Sequence, residues 1–361
     1  MGTAAASPGR RVGATLRRVA PAIGLFFLAP LVAEFLLGNL PISMLPALVV
    51  LAPMYGGGAL LIREVARRRG LGWPNIIVLG LAYGILEEGL TTQSLFNPNY
   101  AGQRLLDYGY LPALGMGAVW TLYVLTLHTV WSVSVPIALV ETLAHGRQTT
   151  PWLGRPGLAV TALLFTIGII LTTAINMWAW PYVASLPQFS GAAIAVVTLV
   201  AIGLRRGRTV KGTAPIAAGP ARGQAPNPWL VGATGLLAGA IFMELPRSIP
   251  AWVHVLCYVL LGTGMIGLVR WWSARPGWGD PQRLALAGAA LLTYAWHAFP
   301  EEPVVPVSPT LDLVGNAVFA LGAVILIVIA ALRLRRETPR PGSGGPNLRG
   351  CDRSALLACR K

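Results

Sequence analysis

The sequence predicts an all-α protein, a polytopic transmembrane helical bundle of about ten spans, on three observations. Apolar residues make up 55% of the 361 residues and charged ones 11%, where an ordinary soluble protein carries roughly a quarter charged residues. Long apolar stretches recur from Val19 to Leu332, and short loops between them hold most of the charge. The basic residues punctuate those stretches in alternation, so the net charge of +15 suits anchoring and contact with anionic membrane lipids rather than one nucleic-acid-binding face.

A crossing needs roughly 20 apolar residues for a hydrocarbon core about 30 Å thick. On that basis residues 1–19 form a basic cytoplasmic N-terminus, followed within 20–204 by spans at 20–39, 43–62, 75–96, 112–134, 157–176 and 187–204. The first is read as a retained helix, because it contains Glu34 and lacks a small-x-small cleavage site. Apolar character in the fourth runs on from Leu111 to Leu143, and Pro136 is expected to break it or turn it along the membrane surface. Residues 205–228, rich in Gly, Pro, Ala and basic residues, read as a flexible cytoplasmic linker. A four-span region, 229–332, follows with spans at 229–246, 250–269, 283–299 and 311–332, and 333–361 forms a basic cytoplasmic tail. No internal repeat links the two regions.

Charge tests this layout. With the N-terminus inside, 26 of the 28 basic residues fall on inner segments, and only Arg104 and Arg247 lie outside. The expected location is the cell inner (plasma) membrane with both termini cytoplasmic. Seven tryptophans, Trp73, Trp152, Trp178, Trp180, Trp229, Trp271 and Trp272, sit near span ends and read as interfacial anchors, leaving Trp120 and Trp131 to pack near a site. Arg63-Glu64 reads as an ion pair at a cytoplasmic helix end. Cys257 lies in a span, while Cys351 and Cys359 share the tail without metal-knuckle spacing.

The unusual polar feature inside a span is Glu87-Glu88, in Tyr83-Gly-Ile-Leu-Glu-Glu-Gly-Leu-Thr-Thr-Gln-Ser. Twelve residues of helix from Asn75 rise about 18 Å, which puts Glu87 well inside the bilayer. A carboxylate there costs several kcal/mol unless paired, hydrated or protonated. Thr91, Thr92 and Gln93 follow about one turn later and are candidates to line the same cavity. His128, with Trp131 and Ser132 beyond it, lies in the next span, and helices joined by a short loop are usually neighbours. Measured from Leu111, His128 falls about 25 Å down its helix, whereas Glu87 is about 12 Å from the outer side. Asn176, Glu244, His254, His297 and Asn316 are secondary candidates: Asn176 and Glu244 lie close to outer helix ends, where capping or solvation accounts for them, and His254 and His297 lie near outer boundaries, where an interfacial position does.

The Glu pair in one span and the His in the next resemble the CAAX protease and bacteriocin-processing (CPBP) intramembrane protease family over about Tyr83–Ser132. Family members typically carry Arg four positions after the second Glu, where this chain has Thr92, and often Phe four before the His, where it has Val124. A third His-x-x-x-Asn motif has no counterpart; His297-x-x-x-Glu301 has a related spacing at the entry to an outer loop. The resemblance implies an intramembrane cavity and peptide-bond hydrolysis of a membrane peptide or protein, with Glu87 or Glu88 activating water and His128 orienting it or stabilising the oxyanion. Buried carboxylates equally define proton or cation pathways, so a coupled transporter and a non-catalytic membrane accessory protein stay open as alternatives. The sequence names no cofactor and no metal.

Overall fold

The computed structural model describes residues 8–144, 146–205 and 223–337. Most of the expected linker (206–222) and the tail from 338, with Cys351 and Cys359, lie outside the described residues. The chain is an all-α membrane bundle. In order it forms α1 (Pro8–Pro30), α2 (Leu48–Leu51), α3 (Gly57–Arg68), α4 (Trp73–Ile85), α5 (Ala118–Leu127), α6 (Val135–Leu143), α7 (Arg155–Ala179), α8 (Leu186–Gly203), α9 (Pro228–Glu244), α10 (Ala251–Ser273), α11 (Asp280–His297) and α12 (Pro309–Glu337). A two-residue antiparallel hairpin, Tyr110–Leu111 with Met116–Gly117, is the sole sheet among the described residues.

Contacts gather the turns at two ends. At the basic end Arg147 donates to Arg18 O (3.0 Å), Asn75 to Gly203 O (2.9 Å), Gln282 to Pro226 O (3.2 Å) and Arg333 to Leu143 O (2.7 Å). At the far end Val304 N–H donates to Asn39 O (3.0 Å), Gln188 to Leu114 O (3.1 Å) and Asn316 to Ala298 O (2.9 Å). Helix covers most of each of the ten expected segments between these ends, and among the described residues seven helices are long and apolar enough to cross a membrane. The remaining three have local reasons to fall short. The α4 pass carries Glu87-Glu88, α9 has 17 residues, and α11 opens on Asp280 and Arg283. Much of α11 is buried in the bundle, sheltered from lipid. By contrast α7, α8, α10 and α12 leave apolar side chains such as Leu163, Val197, Leu260 and Leu321 exposed, surface suited to acyl chains.

Boundaries differ from expectation where local chemistry overrides hydropathy. Helix α1 starts at Pro8 rather than residue 20, and α12 continues through the basic residues to Glu337. Pro136 neither breaks the fourth pass nor turns it aside. Helix runs from Ala118 to Leu143, and a π-helical stretch over His128–Ser134 absorbs the proline just beyond it. Similar stretches occur at Leu31–Phe35, directly after Pro30, and at Ala52–Gly56, around Pro53. Pro30 denies Phe26 O its usual helical donor. Gly56 packs against that carbonyl so closely that a Cβ would lie 1.8 Å from it. Gly56→Ala is therefore expected to destabilise the fold by about 1–3 kcal/mol or more, and an unchanged thermal midpoint in nanodiscs would contradict the contact.

The core joins the first eight helices to the last four. Leu127, Trp131, Val135 and Leu139 from the fourth pass pack with Phe242, Leu284, Leu291 and Tyr294. The basic end is closed by a buried ion network. Arg63 Nη1 lies 2.6 Å from Glu64 and its Nε 3.0 Å from Glu141, and Arg67 reaches both Glu141 oxygens at 2.7 Å. Glu64 also accepts the backbone N–H groups of Trp152 and Leu153. Arg63-Glu64 is thus a pair, within a larger network. The anchor reading fails for two tryptophans. Trp152 is fully buried with the Arg63 guanidinium 3.5 Å from its ring centroid, and Trp272 is also buried, while Trp178, Trp229 and Trp271 are exposed.

Candidate functional site

Small residues let the two site-bearing passes meet. Gly80 faces Thr129 and Val133, and a Cβ on Gly84 would lie 3.1 Å from that of His128. This Gly-x-x-x-Gly spacing permits close helix approach. Past Ile85 the helix widens into a π-helical stretch, Leu86–Thr91, that carries Glu87 and Glu88. The depths also agree better than the hydropathy pattern suggests. Residues 110–117 form the hairpin instead of helix, so His128 lies only ten residues, about 15 Å, beyond the start at Ala118.

Glu87, Glu88 and His128 are all buried and in contact. His128 Nε2 lies 2.7 Å from Glu88 Oε1. The second Glu88 oxygen accepts from the Ser94 hydroxyl, with the Thr92 hydroxyl at 3.1 Å. Ser94 Oγ in turn accepts from Trp120 Nε1 at 3.2 Å. This convergence of donors suits an ionised Glu88. On the other side of the ring, His128 Nδ1 lies 3.1 Å from Ser132 Oγ and 3.1 Å from Glu87 Oε2. The Glu87 contact lies off hydrogen-bond geometry, and that oxygen has no other hydrogen-bond partner. Two unprotonated acceptors facing each other would repel, so one proton belongs between Glu87 and His128.

Of the expected cavity-lining residues, the structure brings Thr92 and Ser132 to this cluster. Thr91 is buried but turns its hydroxyl back to Leu86 O. Gln93 adopts a left-handed φ of 57° and accepts the Ala184 N–H at 2.7 Å, tying the end of this pass to the segment before α8. Trp131 points the opposite way, donating to Ala290 O and stacking on Tyr294 with centroids 4.6 Å apart. Trp120, in contrast, does pack at the site.

Three participants have no counterpart in the sequence-based site. Tyr55 lies with its ring nearly parallel to His128, centroids 6.0 Å apart, and its hydroxyl donates to Glu34. Ser94 is the third. Glu34, the first acidic residue in the chain, was a visible signal. Tyr55 had none, being one aromatic in an apolar run. The secondary candidates have local partners: Asn176 donates to Thr172 O, Asn316 to Ala298 O, and His254 lies 3.4 Å from Tyr108. His297 sits 3.0 Å from Glu244 and 3.5 Å from Glu301 at the far end. In that loop burial raises the Glu301 carboxyl, while His297 and Arg247 partly offset the rise.

Chemically, the cluster offers one carboxylate (Glu87) facing an imidazole with a proton between them, and a second carboxylate (Glu88) that orients the imidazole. One oxygen from each of Glu87 and Glu88 and a His128 nitrogen also lie within 4.8 Å of one another, close enough to share a cation. A family model described as an uncharacterized membrane protein family matches residues 25–336, a stretch that contains every residue of this cluster. No curated protein and no solved structure matches the chain.

Proposed function

The chain belongs to this uncharacterized membrane protein family, and from that premise we propose that it is an intramembrane hydrolase acting on a membrane-embedded peptide or protein. The observation that carries the reading is the buried Glu87–His128–Glu88 contact. The resemblance of Tyr83–Ser132 to the CPBP proteases supports the same reaction class. Glu87 takes a proton from water as the water oxygen bonds to the peptide carbonyl carbon. His128, oriented by Glu88, stabilises the charge that develops on the carbonyl oxygen. The C–N bond then breaks, and the proton held by Glu87 passes to the departing amine.

A second reading, a proton- or cation-coupled transporter, draws on Glu34 and Tyr55, which extend the line of protonatable groups beyond His128. A non-catalytic accessory role needs neither chemistry. The test is purified protein in nanodiscs, assayed for cleavage of transmembrane peptides and for proton-dependent flux. Cleavage lost in folded Glu87→Gln, Glu88→Gln and His128→Ala supports the hydrolase, flux without cleavage supports transport, and neither activity sinks both.

The basic-residue asymmetry supports a cell inner-membrane location with both termini cytoplasmic. Single cysteines introduced at Arg68 and Arg104 are expected to label from the cytoplasmic and outer sides respectively. Labelling of both from one side would overturn that orientation.

A further inference from the structure

Four π-helical stretches, Leu31–Phe35, Ala52–Gly56, Leu86–Thr91 and His128–Ser134, carry Glu34, Tyr55, Glu87-Glu88 and His128 respectively. Each gives up regular helical hydrogen bonding, and such stretches are frequent at functional sites. Two of them come from passes that hold none of Glu87, Glu88 or His128, yet Tyr55 from one lies beside the same imidazole and Glu34 from the other bonds Tyr55. Tyr55 is buried, its ring inclined only 24° to that of His128, and Tyr83 meets His128 at 62° from another side. The Tyr55 hydroxyl donates to Glu34 Oε1, and Asn39 Nδ2 donates to Glu34 Oε2 at 2.5 Å. Asn39 is itself held at the far end, where its carbonyl accepts the Val304 N–H at 3.0 Å.

An apolar pair would fill the space of half-buried Glu34 and buried Tyr55 without the cost of partly desolvating a carboxylate. The hydrogen bond between them instead gives the Tyr55 ring one fixed attitude, and that ring lies on His128. We infer that Glu34 is a positioning residue of this centre, acting through Tyr55 to set the orientation of the His128 imidazole between Glu87 and Glu88. The path Val304–Asn39–Glu34–Tyr55–His128 also links the proline-rich loop at the far end to the buried site.

The inference rests on the hydrolase reading only for its kinetic arm. The test uses the full chain in nanodiscs, labelled with ¹⁵N-histidine, with the His128 ring signals identified by their loss in His128→Asn. Glu34→Ala and Tyr55→Phe should shift those signals while helical content stays at the wild-type level. Glu34→Gln, which keeps a carbonyl to accept the Tyr55 hydroxyl, should return them toward wild type. If peptide cleavage is present, the first two variants should lower kcat about tenfold or more with KM within about twofold. Should Glu34→Ala fail to fold, the milder Tyr55→Phe decides. Folded Tyr55→Phe with unmoved His128 signals overturns the inference. Wild-type protein that cleaves nothing sinks the hydrolase reading and leaves the spectroscopic result standing.

Discussion

Glu87→Gln is expected to lower kcat for cleavage of a transmembrane peptide by at least about a hundredfold. General-base catalysis contributes roughly 10²–10⁴-fold, and a glutamine cannot take the proton from water. Fold should survive the change, because the Glu87 oxygen facing His128 makes no hydrogen bond that the bundle depends on, and glutamine has nearly the same volume. Glu88→Gln acts differently. Its carboxylate accepts from Ser94 and holds His128 Nε2 at 2.7 Å, so its loss disturbs both the imidazole and the packing around it. Activity should fall in both variants, with the thermal midpoint moving only in Glu88→Gln. Wild-type cleavage rates in folded Glu87→Gln would remove Glu87 from the chemistry.

The largest effect on stability should come from Glu141→Ala at the basic end. Glu141 is buried and receives Arg63 at 3.0 Å and Arg67 at 2.7 Å through both oxygens. Removing it leaves two guanidinium groups, one of them fully buried, with a principal partner gone. Breaking a buried pair in this way costs about 3–5 kcal/mol, because the surviving charge stays desolvated. Arg63 retains Glu64 and two backbone carbonyls, which places the expected loss toward the lower part of that range. Reversible unfolding in nanodiscs measures it, and a loss below about 1 kcal/mol would mean that water reaches the network.

Hydropathy and charge alternation made the helices legible, because those signals are local and repeat along the chain. The Glu87-Glu88 pair was legible for the same reason: two carboxylates stand out in an apolar run. What hydropathy hid was geometry that depends on distant residues. Glu141 lies 78 residues from Arg63, so the sequence offered only the adjacent Arg63-Glu64 pair. Trp152 looked interfacial from its place at a span end, yet Arg63 covers its ring. Apolar residues at 111–117 extended the fourth span on paper, whereas the chain turns there as a hairpin and starts its helix at Ala118. Tyr55 was invisible because an aromatic in an apolar run reports nothing about its hydroxyl until Glu34 is seen beside it.

That Glu87, Glu88 and His128 act as one centre is tested most directly by combining variants. Residues that work as a unit lose most of their effect with the first removal, so combined losses are far from additive. Peptide cleavage should be measured for Glu87→Gln, His128→Ala and the double variant, each checked for wild-type helical content. The expected result is a double variant within about threefold of the more damaging single one. Losses that multiply across the two sites would contradict a shared centre, and would leave Glu87 and His128 as neighbours with separate roles.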